Sequence, residues 1–167
     1  MSVQTEKLCL ACTLCCNGAL FADLKLSPAD KARLQRKGFD LKLSRSAKLP
    51  QPCPALCAPH CTIYSSRPDY CRRFECLLLK EVIAGEIPES TAIRTIRTAR
   101  RRHEKVRQLL QSLGDRNDSV AVSVRFRRLA RSLETESMDA AKAALFGDLT
   151  LAMHDLNRCL ARHFYPG

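Results

Sequence analysis

The sequence predicts an α+β fold that is mainly α: a small, irregular, cysteine-rich metal module with short strands, packed on an antiparallel helical region. Three observations predict it. Of the ten cysteines, all but Cys159 lie between Cys9 and Cys76, in two clusters. Beyond Cys76 the apolar residues recur at spacings of three and four, the period of a helix face. Leu, Ala, Val and Ile dominate the apolar set and Trp is absent, and Leu and Ala in particular suit helices. The expected division is a cysteine-cluster metal-binding module over residues 1–84 and a helical extension over 85–167. No low-complexity linker separates them, so they are expected to pack as one structural unit.

Residues 9–16 read C-x-x-C-x-x-C-C and run into Asn17-Gly18, a turn pair, so a loop is predicted there. Residues 20–26, LFADLKL, alternate in part and predict a short strand. Ser27-Pro28 opens a helix, with Ser27 as N-cap and Pro28 in the first helical position. It should run to Lys37 and stop at Gly38. Leu41 and Leu43 suggest a further short strand, followed by a loop. The stretch up to Pro59 is too rich in proline for a regular helix, and Cys61–Tyr64 suits a strand.

Arg67-Pro68-Asp69 begins the next helix. Cys71 falls near its first turn, where helix amides favour a thiolate. Cys76 comes five residues later on the same helix, off the Cys71 face. That helix continues through Leu77, Val82 and Ile83 to Gly85. A second helix starts around Pro88, with the stripe Ala92/Ile93, Ile96, Ala99, His103, Val106, Leu109/Leu110, Leu113, and ends at Gly114-Asp115. Residues 120–124, VAVSV, have some strand character. Phe126, Leu129, Ala130 and Leu133 continue at helical spacing, so a helix is predicted. The last helix is expected to start from Ser137 as N-cap, to carry Met138, Ala141, Leu145, Leu149, Ala152, Leu156 and Cys159/Leu160, and to end near Phe164.

The N-terminus lacks the pattern of a signal peptide. No stretch approaches the roughly 18 apolar residues of a membrane span. A cytoplasmic location is therefore expected, with no membrane partner. In that compartment clustered cysteines are ligands or redox groups in preference to disulfides. A C-x-x-C turn brings two sulfurs to one metal. Neighbouring side chains usually point apart, so Cys15 and Cys16 either serve different centres or include one structural thiol.

The formal charge is +11. Much of the excess lies on one helix, at Arg94, Arg97, Arg100, Arg101, Arg102, Lys105 and Arg107. One reading is phosphate contact with nucleic acid. The preferred one is a solvated face that also offsets a negative metal site, since no aromatic residues interleave for base stacking. Eight thiolates around two divalent metals would contribute about −4. Arg67, Arg72 and Arg73 beside the cysteines could hold an anion or stabilise thiolates. There is no Gly-rich phosphate loop, H-E-x-x-H or G-x-S-x-G.

The run Cys9-x-x-Cys12-x-x-Cys15-Cys16 is followed by LFADLKLSPAD, Cys53-Pro54, Cys61-Thr62-Ile63-Tyr64, Arg67-Pro68, Cys71-Arg72 and Phe74-Glu75-Cys76. Together these resemble the CxxCxxCC cysteine-cluster family (YkgJ-like) of zinc- or iron-chelating domains, over roughly residues 9–80. The resemblance implies eight metal ligands: Cys9, Cys12, Cys15, Cys16, Cys53, Cys61, Cys71 and Cys76. Cys57 and Cys159 fall outside the pattern. Cys57 reads as a free thiol, His60 as an exposed loop residue, and Cys159 and His103 as core residues.

The cofactor expected is an iron–sulfur cluster or zinc. Iron–sulfur is slightly favoured, because bacterial ferredoxin runs also open C-x-x-C-x-x-C. Two closed zinc sites of four thiolates would equally use all eight cysteines. The leading reading is a metal-binding protein with a redox or electron-transfer role and a protein redox partner. The alternatives are a cluster-dependent enzyme (the family resemblance extends to oxidoreductase and lysine N-methylase labels) and a nucleic-acid-binding module with structural zinc.

Overall fold

A computed structural model describes residues 3–39, 48–57, 60–134 and 138–165. The described residues form α1 (Val3–Cys12), β1 (Asp23–Lys25), α2 (Pro28–Arg36), β2 (Lys48–Pro50), β3 (Leu56–Cys57), β4 (His60–Cys61), α3 (Asp69–Arg73), α4 (Leu77–Ile83), α5 (Glu89–Ser112), α6 (Val122–Leu133) and α7 (Ala140–His163). The fold is α+β and mainly α, as patterned. β1 pairs antiparallel with β2, and β3 with β4, as two separate two-stranded sheets.

The long helices follow their stripes. On α5 the buried residues are Ala92, Ile96, Ala99, His103, Val106 and Leu110. On α7 they are Leu149, Ala152, Met153, Leu156, Cys159 and Leu160, whereas Met138 and Ala141 of the expected stripe are exposed and Leu145 is half-buried. The two stripes face each other. Arg102 of α5 donates from Nη1 to the Asp155 carbonyl oxygen of α7 at 3.3 Å, and Arg94 lies opposite the α7 C-terminus, so the helices run antiparallel. Val106, Leu110, Leu149 and Leu156 have no exposed surface. Burying each such side chain contributes about 1.5–3 kcal/mol.

This cluster also takes in Leu8, Leu14 and Leu20 from the N-terminal segment, Leu78 and Leu79 of α4, and Phe164. A second cluster, of Leu24, Leu26, Leu34, Leu49, Ala55 and Ile63, lies between α2 and the small sheets. Phe21 packs against both. The C-terminus returns to the cysteine segment: Leu77 N–H donates to Phe164 O at 3.3 Å, and Tyr165 Oη to Leu20 O at 3.2 Å.

α2 begins as read, with Ser27 Oγ accepting from Asp30 N–H at 3.1 Å and Gly38 at φ +80° beyond its end. Five local expectations are corrected. Cys9 and Cys12 lie on a helix, α1, rather than in a loop, because Glu6, Lys7, Leu8, Leu10 and Ala11 are good helix formers. The strand expected over Cys61–Tyr64 is confined to His60–Cys61, and Tyr64–Ser66 form a 3₁₀ turn. The expected helix from Arg67 to Gly85 is two helices, α3 and α4, because Phe74 turns extended at ψ 122°. Cys76 is therefore the N-cap of α4, not a residue on the Cys71 helix. Lys48–Pro50, expected as loop, is a strand paired with β1. The N-cap of α7 is Asp139, which accepts from Lys142 N–H at 2.7 Å, and Met138 stands before the helix. The strand expected at Leu41 and Leu43, like Ser137, lies outside the described residues.

Candidate metal centre

Cys9, Cys12, Cys15, Cys16, Cys53, Cys61, Cys71 and Cys76 all line one cavity of about 130 Å³. Its remaining wall is mostly apolar, with Leu8, Leu14, Phe21, Leu78 and Phe164 among the lining residues. Cys57 is exposed on β3, and Cys159 is buried on α7 away from this cavity. His60 is exposed. All ten cysteines are free thiols.

Local structure brings the eight together. Cys9 and Cys12 sit three residues apart on α1, hence on neighbouring positions of one face. The chain then turns sharply: Thr13 takes φ 57°, and Cys16 N–H donates to Thr13 O at 2.8 Å. Gly18 completes the turn at φ +82°, a region that favours glycine. A Cβ there would lie 3.0 Å from Ala121 Cα and 3.1 Å from Pro52 Cδ, so three segments meet at this point. Cys53 N–H donates to Cys16 O at 2.7 Å, which joins the two cysteine segments directly.

Asp30 holds the Arg67–Asp69 turn that leads into Cys71. This carboxylate is 2% exposed. It pairs with Arg33 and accepts from Asp69 N–H at 3.2 and 3.3 Å. Arg33 Nη2 donates on to Arg67 O at 3.2 Å. A buried carboxylate needs such compensation. Behind Cys71, Phe21 meets Tyr70 and Phe74 edge-on, at ring-centroid distances of 5.9 and 5.0 Å.

The cysteines divide between the two cores. Cys12, Cys15 and Cys76 pack on the helical cluster. Cys53, Cys61 and Cys71 pack on the strand-side cluster. The electrostatics divide the same way. Burial is the main cause that pushes Cys9 up to about 11, Cys12 to about 12, Cys16 to about 12 and Cys71 to about 11. It also raises Cys15 well above the usual thiol value, and raises Cys53 and Cys76. Neighbouring sulfurs add to this. Cys76 acts on Cys9, Cys12 and Cys15. Cys53, Cys71 and Cys61 act on Cys16, and Cys53 and Cys61 act on Cys71. The division is incomplete at the junction, where Cys12 also acts on Cys16 and Cys16 acts on Cys15.

This donor set fits a thiophilic metal. Burial and neighbouring sulfurs favour the neutral form of Cys9, Cys12, Cys15, Cys16, Cys53, Cys71 and Cys76, and a bound cation reverses this preference because the ligand is the thiolate. Among the described residues, no three His, Cys, Asp or Glu side chains already sit in a metal-holding arrangement.

Of the three cations expected beside the thiols, Arg67 is at the cavity. Its guanidinium carbon lies 3.8 Å from the Tyr64 ring centroid, and it favours the thiolates of both Cys9 and Cys71. Arg100 favours that of Cys12, and its Nη1 donates to Ala11 O at the end of α1 at 3.1 Å. Arg72 and Arg73 are exposed, and Arg72 pairs with Asp69 at 3.0 Å. The role of Arg100 at the cavity, far away in sequence, had no local signal; it was visible only as one member of a basic run.

Residues 8–106 match the model of the family CxxCxxCC, described as "Putative zinc- or iron-chelating domain". No curated protein and no solved structure matches the chain significantly. No helix among the described residues is long and apolar enough to cross a membrane.

Proposed function

The chain belongs to the CxxCxxCC family of zinc- or iron-chelating domains, and on that premise we propose that its eight cavity cysteines hold metal in two four-thiolate centres. The first centre takes Cys9, Cys12, Cys15 and Cys76. The second takes Cys16, Cys53, Cys61 and Cys71. The observation that carries this reading is the cavity shared by the eight cysteines, from which Cys57 and Cys159 are left out, with Cys12, Cys15 and Cys76 against one hydrophobic cluster and Cys53, Cys61 and Cys71 against the other. Residues 1–84 and 85–167 act as one unit in this reading, since the helical cluster draws on both.

Iron–sulfur is the preferred occupant. In two-cluster ferredoxins the first three cysteines of the run and one distant cysteine hold one cluster, while the last cysteine of the run ligates the other. Cys9, Cys12, Cys15 and distant Cys76, with Cys16 given to the second centre, repeat that division. Such a group, when bound, supplies one-electron transfer. Arg67 and Arg100 place positive charge beside it and favour its more reduced state. The function is then electron transfer to a protein partner, in the cytoplasm, where thiols stay reduced.

Two closed zinc sites are the second reading. Four thiolates to each ion would use all eight cavity cysteines. Metal and acid-labile sulfide analysis of protein purified without oxygen separates the readings. Iron with matching sulfide, and an absorption band bleached reversibly by dithionite, supports the redox role. Colourless protein with zinc moves the function to structure. Absence of both sinks the proposal.

A further inference from the structure

On the far side of α5 from α6, the seam between α5 and α7 opens into a groove of about 540 Å³. Its walls are two facing rows of cations. α5 contributes Arg94 and Arg102, with Thr95 and Thr98 between them; α7 contributes Arg158 and Arg162, together with Cys159 and His163, whose pKa burial lowers so that the neutral ring is favoured. No acidic side chain lines it. Arg158 lies 3.7 Å from Asp155 on an exposed face, where such pairs contribute little, and Glu81 acts on His163 from outside the lining. Arg94 spends one donor on Thr91 Oγ1 at 2.8 Å and Arg102 one on the Asp155 carbonyl. Each guanidinium has about five. The α7 C-terminus offsets about half a charge near Arg162, far less than the four arginines carry.

Two other α5 cations have different tasks. Arg100 caps α1, and Arg107 pairs with Glu104 and Asp118, both at 2.7 Å. The groove therefore concentrates like charge that the fold does not need for its own pairing. We propose that this α5–α7 groove is a binding site for a small polyphosphate anion, such as a diphosphate or the phosphate tail of a larger metabolite.

Volume and chemistry favour this class. The groove falls within the roughly 300–1,000 Å³ of small-molecule sites, more than one phosphate needs. Guanidinium forks match phosphate oxygens in bidentate fashion, which ammonium groups do not. No aromatic ring lines the groove to stack a base, which disfavours single-stranded nucleic acid.

The test is calorimetric titration of the metal-loaded protein with pyrophosphate at physiological ionic strength. Three variants are compared with the parent: Arg102→Gln with Arg162→Gln, the same pair changed to Lys, and Arg97→Gln with Arg101→Gln as an equal-charge control on the exposed face of α5. Binding should weaken about tenfold or more in the Gln groove variant and less in the Lys variant, as lost charge-assisted hydrogen bonds require. The control should stay within about twofold. Three results would overturn the site: no pyrophosphate binding, equal losses in groove and control variants, or a bound oligonucleotide that pyrophosphate does not displace. If the Gln pair fails to fold, the Lys pair decides, and parent-like affinity there overturns the site.

Discussion

Cys15 and Cys16 are consecutive in the chain but belong to different neighbourhoods. Cys15 packs on the helical core and, besides its neighbour Cys16, is acted on by Cys12, Cys76 and Cys9. Cys16 is bonded through its carbonyl oxygen to the Cys53 amide at 2.7 Å and is acted on chiefly by Cys53, Cys71 and Cys61, with a smaller contribution from Cys12. Adjacent side chains that point apart become useful when two centres lie side by side.

Changing one of this pair should therefore empty one centre. Cys15→Ser and Cys16→Ser are each expected to retain about half the parent's metal, since a four-coordinate site rarely survives the loss of a ligand. Metal analysis of the two purified variants checks this. Full retention in both would remove the division into two centres.

The two cysteines outside the cavity should behave differently from the eight, and from each other. Cys57→Ser should change neither metal content nor melting temperature, because its side chain is exposed. Cys159→Ser should keep the metal but cost about 1–3 kcal/mol, because it places a hydroxyl in the apolar α5–α7 core. Cys12→Ser should lose metal and stability together. Denaturation curves paired with metal analysis distinguish the three patterns.

His103 should make the fold sensitive to mild acid. Burial, chiefly, lowers its pKa from 6.5 to about 4, so the folded protein keeps it neutral while the unfolded chain protonates it. The sign follows: stability is full above pH 6.5 and falls as pH drops from 6.5 to 4, by about 3 kcal/mol in all. Thiolate protonation also releases metal in acid, so the readout is a difference. His103→Gln should lose less stability than the parent between pH 7 and pH 4.5, measured by urea denaturation. Equal losses would mean that His103 does not carry the effect.

Arg125 is a buried cation that holds the α5–α6 connection. Its side chain is 2% exposed and pairs with Asp115 at 3.2 Å and Asp118 at 2.7 Å. It also donates to the Asp115 carbonyl at 2.6 Å. Arg125→Ala should cost about 2–4 kcal/mol, somewhat below a fully buried pair because both carboxylates reach solvent. Chemical denaturation measures it. A cost under about 0.5 kcal/mol would place Arg125 with ordinary surface charges.

The sequence read well wherever a period or a cap carried the signal. The α5 stripe from Ala92 to Leu110 is buried residue for residue, and Ser27 caps α2 as its position before Pro28 requires. The errors share a physical origin. Cysteine has no strong backbone preference, so α1 was hidden behind the metal-ligand spacing it carries. The break between α3 and α4 occurs at Phe74 with neither Gly nor Pro to mark it. Asp30 and Arg100 hold the cysteine segments through tertiary contacts to Asp69 and Ala11 that no local pattern encodes, and no period or cap sets Arg125 apart from the other arginines of α6.

The most direct measurement is mass-spectrometric mapping of cysteine alkylation on the native protein, before and after metal is removed by chelation. With metal bound, Cys57 should label alone. After removal, Cys9, Cys12, Cys15, Cys16, Cys53, Cys61, Cys71 and Cys76 should become reactive together or as two groups of four, with Cys159 the slowest to label. An identical labelling pattern with and without metal would contradict ligation by these eight thiols.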